Sequence, residues 1–236
     1  MKKLIILSLL FLAISTGFSQ RYILFENVNS EWAERNTNFG PNKKHFVHTW
    51  IKAGQILGPS ADSLPTKYWG SGNLAFGLRY KHKLTSWWSH GLDVGYNYQS
   101  FSIAQKDEKL LIDNNQYEKE RLNFHQITGD YYWRFRLGRA GNYLGKFLDI
   151  GGYGAWNMGK NHVIKADEGI PDAKKQKTKL KNVNYLEDIE YGVITRVGFN
   201  RFVLFGKYRL SKLLKDIPEN SDKLPAITVG LEIRLN

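Results

Sequence analysis

The sequence predicts an all-β fold, an eight-stranded antiparallel transmembrane β-barrel with short periplasmic turns and longer extracellular loops. Three observations predict it: apolar and polar residues alternate in eight segments, no helical periodicity follows the N-terminal segment, and the links are alternately short and long. Successive side chains of a strand point to opposite faces, so each segment has one apolar and one polar face. Strands of this kind suit a closed sheet with lipid on one side.

The last segment shows the alternation most clearly. From residue 225 to residue 236, apolar residues occupy every second position, and small or polar residues stand between them. A strand of this kind at the chain terminus is expected to close a barrel. Its apolar face consists of Ile227, Val229, Leu231, Ile233 and Leu235.

The N-terminal 19 residues have the organisation of a secretory signal peptide. Two lysines precede an apolar run over residues 4–14, and the small residues Gly17 and Ser19 occupy the two positions that a signal peptidase reads before the predicted cleavage at Gln20. A membrane anchor helix is the alternative, but the run is short for a bilayer of about 30 Å. We therefore assign residues 1–19 to a signal peptide.

The exported chain divides into two predicted parts. Residues 20–44 lack strand alternation and are assigned to an N-terminal periplasmic segment, and residues 45–236 are assigned to the outer-membrane β-barrel. The sequence contains no Cys, so neither a disulfide nor a lipidated cysteine is expected. Export without disulfides is typical of a bacterial envelope protein, and the predicted localisation is the cell outer membrane.

Eight strands are predicted within residues 45–236. The links after the second, fourth and sixth strands are short, and those after the first, third, fifth and seventh are longer and more polar. Outer-membrane barrels have this asymmetry, with the short turns in the periplasm. The predicted strands are 45–57, 68–82, 89–105, 117–137, 146–159, 183–199, 202–213 and 224–236.

The sixth and seventh strands allow a prediction of register. If residues 200–201 form a two-residue turn, each apolar residue of one strand lies opposite an apolar residue of the other, whereas a one-residue slip would mix the two faces. The same register places Arg209 opposite Gly192 and diagonal to Glu190. The predicted apolar pairs are Phe199–Phe202, Val197–Leu204, Val193–Tyr208 and Tyr191–Leu210.

Charged residues fall on the polar face of the predicted strands. An eight-stranded barrel is just wide enough for side chains to fill it, and unpaired buried charges are costly, so we expect a salt-bridged plug. A narrow ion or proton path is the alternative. The predicted interior charges are Arg79, Lys81, Arg134, Arg136, Arg196, Lys207, Arg209, Arg234, Asp93, Asp130, Asp149, Asp188, Glu190 and Glu232.

A soluble barrel of lipocalin type would show the same alternation with its faces exchanged. Long strands, aromatic residues near strand ends and an aromatic fraction of 14% favour the membrane. The net charge is +12, and a lysine-rich loop is predicted at residues 160–182. An exported protein without a recognition helix rarely meets nucleic acid, so outer-membrane lipid and lipopolysaccharide are the expected partners, with other envelope proteins as a further possibility.

The sequence predicts no catalytic, cofactor-binding or metal-binding residue, and hence no enzyme. Acyl-ester chemistry needs a His near a Ser and a carboxylate, and the nearest approximation is His90 with Ser89 and Asp93. His125 is expected to pack at the membrane surface. No His, Cys and carboxylate spacing matches a zinc site, and no glycine-rich phosphate loop occurs.

Five segments of the exported chain carry family motifs, and they are 121–127 (RLNFHQI), 147–154 (FLDIGGYG), 188–192 (DIEYG), 207–211 (KYRLS) and 229–232 (VGLE). In these segments the chain resembles the PorT-like outer-membrane β-barrel domain proteins of Bacteroidota. The resemblance covers most of the exported chain, and it implies an outer-membrane barrel without catalytic residues that could be transferred. The expected function is that of a non-enzymatic structural or accessory subunit of an envelope complex, and the resemblance adds secretion as one candidate process. A narrow transport barrel and a lipid-modifying barrel enzyme are the alternatives.

Overall fold

The computed structural model describes residues 38–61, 64–105, 117–138, 145–166, 176–215 and 224–235. The predicted signal peptide and most of the predicted N-terminal segment lie outside these residues. The described residues include no helix that is long and apolar enough to cross a membrane. Their strands are β1 His45–Leu57, β2 Thr66–Lys83, β3 Trp88–Ile103, β4 Lys119–Leu137, β5 Lys146–Ala166, β6 Gln176–Lys181, β7 Ile189–Phe199, β8 Phe202–Arg209 and β9 Ile227–Arg234.

Eight of these strands form a closed antiparallel ring. Sequence neighbours pair from β1 to β5, β5 then pairs with β7, and β7, β8 and β9 follow in order. The pairing of β9 with β1 closes the ring, for example at Ile51 opposite Ile233. Along each strand, buried and exposed residues alternate, so one face of the sheet is covered and the other is not. The predicted all-β fold with a ring of eight antiparallel strands is confirmed.

The predicted loop at residues 160–182 was wrong in part. β5 continues to Ala166, and β6 pairs with this extension from Asn161 opposite Lys181 to Ala166 opposite Gln176. The described residues therefore contain nine strands, of which β6 lies outside the ring. β7 begins at Ile189 and β8 ends at Arg209, so both are shorter than predicted.

A β-bulge divides β5 into a lower part, residues 146–157, and an upper part, residues 159–166. Gln126 lies opposite Asn157 and His125 lies opposite Gly159, so Met158 is the additional residue on β5. Below the bulge, odd-numbered β5 residues such as Tyr153 are buried. Above it, an even-numbered residue, His162, takes the inward position opposite Leu122. The bulge thus reverses which residues of β5 face the interior.

The strand bounds confirm the predicted register and bear out the predicted asymmetry of the links in part. At one rim, residues 84–87 and 200–201 are short links, but the link between β4 and β5 at the same rim, 138–145, has eight residues. At the other rim, the link 58–65 also has eight residues, and the links after β3 and β8 are longer. β7 and β8 pair with Phe199 opposite Phe202 and Arg209 opposite Gly192, as predicted. Asn200 has φ 55°, a left-handed conformation that Asn tolerates better than most residues. β1 begins and β9 ends at the short-turn rim.

Candidate functional site: a filled interior and an apolar outer wall

The outer wall of the ring is apolar and exposed. Every ring strand contributes large hydrophobic residues at its outward positions, and several exceed half exposure. Soluble monomers rarely expose contiguous apolar patches larger than a few hundred Å². The outward residues include Ile51, Leu74, Phe76, Leu78, Leu92, Val94, Ile127, Tyr131, Trp133, Ile150, Trp156, Ile189, Tyr191, Val193, Phe199, Phe202, Leu204, Tyr208, Val229, Leu231 and Ile233.

The centre of the interior is an ionic cluster of two arginines and three carboxylates. The Arg79 guanidinium donates to Asp93 Oδ2 from Nε at 2.8 Å and Nη2 at 2.6 Å, and to Glu232 Oε2 from Nη2 at 2.7 Å. Arg196 donates to Asp93 Oδ2 at 3.1 Å and also to Asp130. All five side chains are at most 2% exposed. The predicted pairing of interior charges is confirmed for this cluster.

A second ion pair lies on one side of the cluster. Arg134 binds Asp149 in a bidentate manner, with Nε–Oδ1 at 2.7 Å and Nη2–Oδ2 at 2.8 Å. The guanidinium stacks on the Phe147 ring, whose centroid lies 3.7 Å from Cζ. Planar stacking together with a two-point hydrogen bond is the geometry in which a buried arginine is best compensated.

A layer of amide side chains lies between the ionic cluster and the long-loop rim. Gln126 Nε2 donates to Asn157 Oδ1 at 2.7 Å and to Glu190 Oε2 at 3.0 Å. Tyr153 donates to the other oxygen of Glu190 at 2.9 Å. Asn97 connects this layer to β2 by accepting a hydrogen bond from Asn73 at 2.9 Å. The polar interior is thus cross-linked between β2, β3, β4, β5 and β7.

An apolar cluster covers the long-loop end of the interior. Its members come from the upper ends of β1, β3 and β4 and from the long links. They are almost completely buried, so water is excluded above the amide layer. The cluster contains Ile56, Leu64, Phe101, Ile103, Leu122, Phe124, Leu186, Leu213, Leu214 and Leu224.

The described end of the N-terminal segment lies against the short-turn rim. Lys81 donates to the Pro41 carbonyl oxygen at 2.6 Å, and Lys83 donates to the Asn42 carbonyl oxygen at 3.1 Å. Arg136 of β4 also donates to the Asn42 side chain. The segment therefore links β2 to β4 at the mouth opposite the apolar cluster.

The predicted interior charges are placed inward with one clear exception. Asp188 lies before β7, and its side chain is 55% exposed. Hydrogen bonds from the ammonium groups of Lys160 and Lys215 hold the pKa of Asp188 below its usual range. Arg209 is buried as predicted and donates to the Leu224 carbonyl oxygen at 2.8 Å. The assignment of Asp188 to the interior was wrong because β7 begins one residue later.

Sequence reasoning missed a buried triad of Glu120, His162 and Tyr185. His162 Nε2 lies 2.8 Å from Glu120 Oε1, and its Nδ1 lies 2.8 Å from the Tyr185 hydroxyl. The glutamate and the histidine are at most 1% exposed. The bulge in β5 turns His162 inward, and alternation before the bulge gives no sign of this. The buried Lys52 was missed as well, although alternation around Trp50 in β1 could have revealed it.

The residues considered for acyl-ester chemistry do not converge. Asp93 belongs to the interior ionic cluster, whereas His90 lies on the outer face with Nδ1 3.1 Å from the Tyr131 hydroxyl. His125 is also on the outer face, with Nδ1 2.5 Å from the Tyr96 hydroxyl. Within the described ranges, no three His, Asp or Glu side chains are grouped as metal ligands.

The fold and its interior define a class of protein: a closed antiparallel ring of strands whose outer face is apolar and whose interior is filled with charged and polar side chains. Compared with the models of known protein families and with curated proteins, the sequence matches none. The resemblance to PorT-like proteins therefore stays a prediction from the sequence motifs.

Proposed function

We propose that the chain is a non-enzymatic β-barrel of the cell outer membrane, serving as a structural or accessory subunit of an envelope complex. The observation that carries the proposal is the inversion of polarity between the two faces of the ring. Ion pairs such as Arg79 with Glu232 are fully buried, while leucines such as Leu231 are exposed. A soluble barrel would have the opposite arrangement.

The height of the apolar wall fits a membrane. On β4 the outward residues from Ile127 to Leu137 are apolar or glycine, and this stretch covers ten residue steps. At about 3.3 Å per residue the stretch is roughly 33 Å long. With a strand tilt of about 40° its height is roughly 25 Å, the height of the apolar band of outer-membrane barrels.

The filled interior favours a structural or accessory role over transport. An ion that followed the barrel axis would have to pass the apolar cluster that contains Leu122 and Phe124, and then the ionic cluster around Arg79. Neither cluster can open without separating packed side chains or breaking buried ion pairs, which is costly. Function would then depend on the rims, the outer wall and the N-terminal segment, where a partner protein of the envelope can bind.

A pair of leucine substitutions tests membrane insertion. Leu231 lies near the middle of the outward face of β9, and Leu235 lies near the short-turn rim. In a membrane barrel, Leu231→Arg is expected to lower the free energy of unfolding by about 2–4 kcal/mol. Leu235→Arg is expected to lower it by only about 0–1 kcal/mol, because the penalty for a charge decreases towards the membrane interface. The measurement is urea unfolding in lipid vesicles, followed by the mobility shift of folded protein on gels. Equal tolerance of both changes would contradict membrane insertion.

Three further measurements test the functional class and the localisation. The purified protein is expected to give no reproducible conductance in planar lipid bilayers, and robust channels would replace the filled-barrel proposal with the transport alternative. Detergent extraction of native membranes followed by affinity capture is expected to recover partner envelope proteins. Recovery of the chain in the soluble periplasmic fraction after mild lysis would refute the outer-membrane localisation.

A further inference from the structure

A cavity lined by five cations lies on the outer face of β4, β5 and β6. We call it the basic cradle, and its cations are Lys119, Arg121, Lys165, Lys177 and Lys179. Its volume is about 300 Å³, and its other lining residues are Tyr98, Asn123 and Val163. None of the described residues that line it is a carboxylate. In the described part of the chain, none of the five cations forms an ion pair with a carboxylate.

Strand pairing forces these cations together. Lys119 of β4 lies opposite Lys165 of β5, and Lys165 lies opposite Lys177 of β6. Three ammonium groups thus form one row across three adjacent strands. Like charges directly opposite each other in an antiparallel sheet are destabilising. The repulsion between these ammonium groups lowers the stability of the β5–β6 hairpin unless an anion occupies the cradle.

The second row of the cradle extends the positive surface. Arg121 lies opposite Val163, and Val163 lies opposite Lys179. Arginine binds phosphate oxygens by a two-point fork, and lysines contribute point charges around it. A cavity of this volume is at the lower limit of small-molecule sites and is far larger than the space of one water-sized ion.

The cradle opens directly above the apolar wall. Along the outward face of β4, the cations Lys119 and Arg121 are followed by Asn123, then His125, and then Ile127 at the start of the apolar stretch. Tyr98 lines the cradle and lies opposite His125 with the ring centroids 5.2 Å apart, so the lower edge is aromatic. Aromatic residues with polar tips are favoured at the boundary between lipid and water.

We infer that the basic cradle binds the phosphate groups of a phosphorylated, acylated glycolipid in the outer leaflet. The inference rests on the proposed membrane function. The acyl chains of such a lipid lie against the apolar wall below Ile127, and its phosphorylated headgroup reaches the row of cations. The bound phosphates offset the repulsion between Lys119, Lys165 and Lys177. The lipid that occupies the cradle therefore also stabilises the β5–β6 hairpin.

Two triple variants with the same loss of charge test the inference. The first, K119Q/R121Q/K165Q, removes three cradle cations. The control, K146Q/R201Q/K212Q, removes three exposed cations that do not line the cradle. The full chain is extracted from membranes in mild detergent. Native mass spectrometry then measures binding of bisphosphorylated lipid A, of dephosphorylated lipid A and of inorganic phosphate.

The expected result is selective loss of binding to the phosphorylated lipid. A basic residue near an anionic surface contributes about fivefold to binding, so the first triple should lose roughly tenfold to a hundredfold in affinity. The control should bind like the natural chain. Equal loss in both triples, or equal binding of the dephosphorylated lipid, would overturn the inference. Displacement of the lipid by an equal concentration of inorganic phosphate would also overturn it, because the site would then hold a free anion.

The outcome is separable from that of the proposed function. Membrane fractionation reports on insertion, whereas the binding assay in detergent reports on the cradle. If the first triple does not fold, the single variant R121Q is measured in its place against R201Q. If the chain is embedded in the membrane but shows no preference for phosphorylated lipid, the proposed membrane barrel is supported and only the inference about lipid binding in the cradle is refuted.

Discussion

Removal of Arg79 is the most direct perturbation of the interior. Its guanidinium is fully buried and makes four hydrogen bonds to Asp93 and Glu232. In Arg79→Met, Asp93 keeps Arg196 as a partner at 3.1 Å, but the nearest arginine atom to Glu232 is Arg196 Nε at 3.8 Å. Removing one partner of a buried ion pair destabilises the folded state by about 3–5 kcal/mol, because the other charge stays buried without compensation. We expect Arg79→Met to lower the free energy of unfolding by this amount.

The assay is urea unfolding in lipid vesicles, followed by tryptophan fluorescence. With a denaturant dependence of about 2 kcal/mol per M, the midpoint should fall by about 2 M. The exposed Arg201→Met is the control and should stay within about 0.5 kcal/mol of the natural chain. Adding Glu232→Gln to Arg79→Met should recover much of the loss, because the uncompensated charge is removed. An unchanged midpoint for Arg79→Met would refute the assignment of the interior charges as a paired network.

Two further substitutions test packing of the interior. Gly198→Ala should lower the free energy of unfolding by about 1–3 kcal/mol, because the added Cβ would lie 2.1 Å from ring atoms of Phe147. Gly154→Ala is the control and should be tolerated, because no atom lies within 4 Å of its Cβ position. Equal urea midpoints for the two variants would contradict this packing. Phe124→Ala should lower the free energy of unfolding by about 3–5 kcal/mol, since its ring is fully buried in the apolar cluster. An effect below 1 kcal/mol would indicate that the long-loop end is not packed.

Alternation predicted the ring strands because it reports directly on the two faces of a sheet. The pairing of β7 with β8 could be predicted to the residue, since a two-residue turn leaves only one register that keeps Val197 opposite Leu204. The closing pair of β9 with β1 has no comparable local signal. Arg79 and Glu232 are 153 residues apart in the chain, so the sequence shows that both face inward but not that they meet.

The upper part of β5 could not be predicted for two physical reasons. The bulge at Met158 changes which residues face inward. The four residues that follow it, 159–162, are glycine or polar, so no apolar alternation shows the change. β6 itself consists of polar and charged residues with only Leu180 apolar, so it lacks the alternation that identifies a half-buried strand. The cradle and the inward position of His162 both depend on these two features.

The hairpin that carries β6 also bears on self-association. Each of the eight ring strands has neighbours on both sides, but among the described residues β6 pairs only with β5, and its other edge offers unpaired backbone groups. Such an edge can recruit a strand from a second molecule. Lys177, Lys179 and Lys181 place a charge at every second residue of this edge, where two copies would repel each other. Replacing these three lysines with threonine should therefore produce dimers and larger polymers that grow from this edge, while the ring stays intact.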